Sequence, residues 1–177
     1  MRLGIYAATV VGGDLYIGGY FKSVNGVKAL DIAKWNGTVW SSLSVGLNGG
    51  AVYAITNIGS DIYVGGSFGT ADNLTVNRIA KWDGTSWSAL GSGLSGGVTA
   101  LTSIGTDLYV GGDFITADGI TVNRIAKWDG SNWSALGTGL NASDARTFTS
   151  IGTDLYVGGS FTVAGGITSK SYSQVGW

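Results

Sequence analysis

Residues 107–137 read DLYVGGDFITADGITVNRIAKWDGSNWSALG, and the reading of this stretch decides the fold. It holds three short runs, DLYVGGDF (107–114), RIAKW (124–128) and WSALG (133–137), with VTALTSI (98–104) just upstream. Each run is rich in β-branched or aromatic residues and is bounded by Gly, Asp, Asn, Ser or Thr, the pattern of half-buried strands. None sustains the 3.6-residue apolar period of a helix. The turn after RIAKW begins Asp129-Gly130, matched by Asn36-Gly37 and Asp83-Gly84. Such pairs tolerate the positive φ angles of a tight hairpin. Between the second and third runs, ITADGITVN (115–123) reads as a longer loop.

Outward from this unit the chain repeats itself. TVNRIAKWDG stands at 75–84 and again at 121–130, and the diglycine motif recurs as LYIGG (15–19), IYVGG (62–66), LYVGG (108–112) and LYVGG (155–159), in steps of 47, 46 and 47 residues. Val52–Gly97 matches Val98–Ser143 at 31 of 46 positions without gaps. A period of this length marks an array whose units bury their apolar faces on one another. Four antiparallel strands per unit describe a propeller blade. The expected fold class is therefore all-β: a β-propeller of four repeats in one domain, 1–177, with blades over 4–50, 51–97, 98–143 and 144–177.

Within RIAKW, Ile and Lys point to one face and Ala and Trp to the other, so Trp82 and Trp128 fill equivalent slots in successive repeats. The fourth repeat runs to Trp177 with its outer strand missing, and only Met1–Gly4 precede the first strand. An unpaired edge invites association. The chain is then a piece of a longer propeller, an incomplete fan that closes with another copy, or a four-bladed ring with one short blade; the favoured expectation is a homo-oligomer, such as two chains sharing an eight-bladed ring.

Composition narrows the function. Ten Lys and Arg against eleven acids, all Asp, give a net charge of −1, so no basic field attracts nucleic acid. With no Cys, His, Glu or Pro, thiolate metal sites and the usual proton-transfer side chains are missing. No apolar run is long enough for a helical membrane span, and the start MRLGIYAATVVGG lacks the apolar stretch of a signal peptide.

The diglycine closing the second strand, the aromatic ending the third and the Trp opening the fourth (IYVGG, then KWDGTSW) resemble the kelch-type propeller repeat. The fuller wording is similar to kelch-related arrays of bacterial secreted proteins and of the fungal cortical polarity-marker family. The resemblance covers nearly the whole chain. It implies a scaffold or a lectin-like binder and an extracellular or cell-surface location. Kelch-type oxidases need His and Cys ligands for copper, and this chain has neither.

Candidate sites are few. Asp14, Asp61, Asp107 and Asp154 each open a second strand, as turn or strand-entry residues rather than an acid–base pair. Asp113, Asp118 and Asp72 could be imagined around calcium, but Asn25 and Gly165 stand at the matching places, so no metal or cofactor is expected. Glycine-rich GLSGGV and GLNGGAV precede no helix and read as crossings between blades. Trp40, Trp87 and Trp133 repeat with the blades; they either pack between them or stack on sugars, giving a multivalent carbohydrate binder as the alternative function. Tyr6, Tyr53, Thr99 and Arg146 break the repeat at one position of the innermost strand and are the remaining ligand-contact candidates. The leading expectation is a non-enzymatic structural or protein-interaction module.

Overall fold

The computed structural model describes residues 4–141, 144–168 and 172–175. Among them there is no helix; every regular element is a strand. The first repeat forms one antiparallel sheet of Gly4–Val11, Asp14–Tyr20, Ile32–Trp35 and Trp40–Ser42, in that spatial order. The second repeats it with Val52–Ile58, Asp61–Gly66, Ile79–Trp82 and Trp87–Ala89, and the third with Val98–Ile104, Asp107–Gly112, Ile125–Trp128 and Trp133–Ala135. The fourth sheet has three strands among the described residues, Ala145–Ile151, Asp154–Gly159 and Tyr172–Val175.

The chain divides into two compact units, Met1–Ala89 with the first two sheets and Leu90–Trp177 with the other two. In the first unit a core cluster joins Leu47, Val52, Val64, Phe68, Ala71 and Val76 with the rings of Trp82 and Trp87. In the second, Ile125, Leu136, Leu140, Ala145, Leu155, Val157 and Phe161 form another.

The diglycine has a steric cause. A Cβ on Gly18 would overlap Val52 and come within 2.8 Å of Ile55 Cδ1, and one on Gly111 would lie 2.6 Å from the Ala145 Cβ. The first glycine is thus where one sheet lets the next approach. The second, at Gly19, Gly66, Gly112 and Gly159, has no room because a backbone carbonyl at the entry to its own sheet's first strand stands there: Gly4, Ala51, Gly97 and Asp144 respectively.

Two turns differ from the sequence reading. The hairpin between third and fourth strands is a four-residue loop, since Trp82 pairs with Trp87 and Trp128 with Trp133. Asp83 does not take positive φ there; its Oδ1 accepts from the Thr85 and Ser86 amides at 2.8 and 2.7 Å, and only Gly84 is left-handed, at φ 99. The two-residue hairpin turn instead lies inside the supposed loop ITADGITVN. There Asp118 and Gly119 take φ 48 and 79 between the short strands Thr116–Ala117 and Ile120–Thr121. These are the angles a twisted two-residue hairpin demands.

These small ribbons fasten the crossings. Leu47–Asn48 pairs with Thr70–Ala71 of the following repeat, and Leu94 and Leu140 bridge to Ala117 and Ala164 in the same way. Asp72 Oδ1 accepts from the Val45 and Gly46 amides at 2.9 and 3.1 Å, and Asp118 Oδ1 from Ser92 at 2.8 Å. Two of the acids weighed as calcium ligands, Asp72 and Asp118, therefore cap backbone donors.

Candidate functional site

The four positions that break the repeat share a structural cause. Each is the extra residue of a β-bulge: register shifts between Ile5 and Ala7, Val52 and Ala54, Val98 and Ala100, and Ala145 and Thr147 set Tyr6, Tyr53, Thr99 and Arg146 outside the ladder. A bulge re-aims its side chain without disturbing the pairing beyond it, which frees these positions to differ. The carbonyl crowding the second glycine belongs to the residue two before the bulge residue in every repeat.

In the first unit the bulge brings two rings together. Tyr6 and Tyr53 lie with centroids 5.8 Å apart, and the Ser67 hydroxyl donates to the Tyr53 hydroxyl at 3.5 Å. In the second unit the Thr99 hydroxyl donates to Gly111 O at 3.3 Å and to the carbonyl of Ala145, the residue before Arg146. Arg146 extends into solvent with its Nε 3.5 Å from Asp144 Oδ1.

The tryptophans behave differently. Trp87 and Trp133 are buried, and their indole N–H groups donate to Leu43 O at 3.3 Å and Leu90 O at 2.9 Å. Each ring also packs on its cross-strand partner, Trp82 or Trp128, with centroids 5.1 and 5.2 Å apart. Rings so enclosed serve the core, where each contributes a large apolar area and one satisfied donor. Trp40 is half-buried against Trp35 at 5.4 Å.

Sequence reasoning missed a set of ion pairs. Lys34, Lys81 and Lys127 reach Asp14, Asp61 and Asp107 at 2.8, 3.1 and 2.9 Å. The hydrogen bond each ammonium donates to its acid holds it above its ordinary pKa despite partial burial. The signal was present as an Asp and a Lys 20 residues apart in three repeats. Pairs this exposed contribute little, well under ~1 kcal/mol.

It also missed Asp31. This residue is 8% exposed and is the one buried charged side chain among the described residues. Its Oδ1 accepts from the Phe21 amide at 2.8 Å, while burial pushes the carboxyl above its usual range. It lines a cavity of about 540 Å³ together with Tyr20, Phe21, Leu47, Tyr53 and Ser67. A folded-state pKa above the ordinary value gives a definite sign. The stability linked to this group is fully present below about pH 3.9 and is lost as pH rises through the folded-state value. Asp31→Asn keeps an acceptor for Phe21 and removes the charge. It is expected to raise the melting temperature at pH 7 by a few degrees, with the gain vanishing below about pH 4. Thermal scans of both proteins across that range check it.

Around this cavity no group of three or more His, Cys, Asp or Glu able to hold a metal ion is found among the described residues, and no helix is long and apolar enough to cross a membrane.

No family model matches the chain, and no curated protein sequence matches it. Solved structures do resemble it. The computationally designed Ika4 protein aligns at a TM-score of 0.57 and 15% identity, covering 99% of this chain and 94% of that one. The computationally designed Ika8 protein aligns at 0.52 and 18%, covering 87% of this chain but 42% of its own. The likeness is one of fold: repeated antiparallel sheets throughout.

Proposed function

We propose that the chain is a non-enzymatic structural module, a kelch-like β-propeller segment that assembles with a second copy of itself to close a larger ring. The observation that carries this reading is a pair of matching surfaces left open at the first and fourth sheets. Val52, Val98 and Ala145 begin their sheets fully buried, yet Ile5 at the same register is 58% exposed, and Val10 on the same strand is 65% exposed. On the fourth sheet, Gly158 holds the place at which Gly18 receives Val52 and Gly111 receives Ala145. Among the described residues only Thr147 of its own sheet lies over Gly158, and Ile151, at the far end of the same strand, is 66% exposed. One surface offers an aliphatic side chain and the other a notch that accepts one. Exposed apolar faces of this kind mark an interface, and a head-to-tail contact that closes gives a ring. The Ika8 alignment, which occupies under half of that chain, is in keeping with a doubled array.

The carbohydrate-binding alternative has less support, because two of its three tryptophans are enclosed. Native mass spectrometry tests the assembly. The expected species is a dimer at twice 18.1 kDa. Ile5→Asp, at an exposed site, is expected to give monomer with an unchanged thermal midpoint of the isolated chain. A wild-type monomer at concentrations of about 100 μM, well above a typical self-association constant, overturns the reading.

A further inference from the structure

At one position the first repeat carries a buried acid where the second and third carry a base. Asp31, Arg78 and Arg124 occupy the same place, all with left-handed backbones at φ 61, 76 and 71. Their main-chain bonds are also the same: each amide donates to the carbonyl of Phe21, Phe68 or Phe114, and each carbonyl accepts from Gly19, Gly66 or Gly112. Only the side chain changes, from a long cation to a short anion. In the third repeat the Arg124 guanidinium donates through Nη1 to Leu140 O at 3.2 Å. The first-repeat counterpart of Leu140 is Leu47, and Leu47 lines the cavity beside Asp31.

We infer that this cavity is a binding site for a small guanidinium compound, with Asp31 as its anionic anchor. Three features support the assignment. First, Asp31 Oδ2 has no hydrogen-bond partner among the described residues, and no cation pairs with the carboxylate. A buried carboxylate with one partner is costly unless something compensates it. A planar guanidinium meets a carboxylate with parallel donors better than any other cation. Second, the cavity's about 540 Å³ is the size of a small-molecule site and exceeds what one water would occupy. Third, its walls carry aromatic rings suited to a cation: Tyr20, which replaces Ser67 and Asp113 of the later repeats, and Tyr53, backed by Tyr6. Lys22 lies exposed at the rim and is ion-paired with no acid among the described residues. Its charge favours a ligand whose far end is anionic, so L-arginine should bind better than agmatine.

Titration calorimetry with L-arginine on the whole chain tests the site. The expected result is saturable binding of one ligand per chain, weakened about tenfold or more in Asp31→Asn, the loss a charged hydrogen bond carries. Asp31→Arg installs the side chain of the sister repeats and is expected to fold, as thermal scans will show, and to bind no arginine. The site is overturned by absence of saturable binding to wild type. It is equally overturned by undiminished binding to a folded Asp31→Asn, or by binding of methyl glucoside with arginine silent.

Discussion

Replacing Gly66 with alanine is expected to destabilise the fold by about 3 kcal/mol, at the upper end of overpacking costs. Gly66 is not left-handed, so the penalty is one of space. An added methyl would overlap the Ala51 carbonyl and sit 3.0 Å from the Val52 Cα, both backbone atoms at the β-bulge, which cannot rotate away. Opening that contact means pulling the first strand of the second sheet from its neighbour, with Gly66 N bonded to Arg78 O at 2.9 Å on the other side. In a chain of this size the melting temperature should fall by about 6–12 °C. Gly158→Ala is the control. Its nearest obstacle is the Thr147 methyl at 2.8 Å, a side chain able to move, so the midpoint of the isolated chain should shift far less. Calorimetric scans of the two variants check the argument; similar midpoints would sink it.

Phe68→Ala carries the second large effect, about 3–5 kcal/mol. The ring is wholly buried in the core of the first unit, in one cluster with Leu47, Val52, Val64, Ala71 and Val76. Those neighbours come from the crossing segment, from two strands and from the small ribbon, so the cavity left behind has walls held by separate ladders and collapses poorly. The equivalent ring in the first repeat, Phe21, is 8% exposed and borders the Asp31 cavity. Phe21→Ala should therefore cost measurably less, which chemical denaturation of the pair will report.

How much of this could be read from the letters follows from how local each signal is. Strands, their order within a repeat and the shared slots of Trp82 and Trp128 depend on patterns a few residues long, and they stand where the periodicity puts them. The turns were harder. Asp-Gly suits a two-residue hairpin equally well at 83–84 and 118–119, and the choice belongs to the tryptophans that pair across the first of these. The bulge at Tyr6, Tyr53, Thr99 and Arg146 goes with the close approach of its strand to a diglycine some 13 residues later, which no single run displays. Asp31 was in plain sight as LDIAKW against NRIAKW, but its burial depends on a cavity wall supplied by Leu47 and Tyr53. The apolar faces bearing Ile5 and Ile151 read as ordinary strand residues until their neighbours' coverage is known.

The stitching of each crossing segment to the next repeat bears on how the chain is made. Leu47 and Leu140 bond backwards to Leu30 O and Asn123 O of their own repeats, but their other side is closed by Thr70–Ala71 and by Ala164 of the repeat that follows. During synthesis, then, the trailing end of a newly emerged sheet is held from one side only until some two dozen more residues have left the ribosome. Maturation should run in one direction, each copy locking the one before it, much as a zip closes behind its slider.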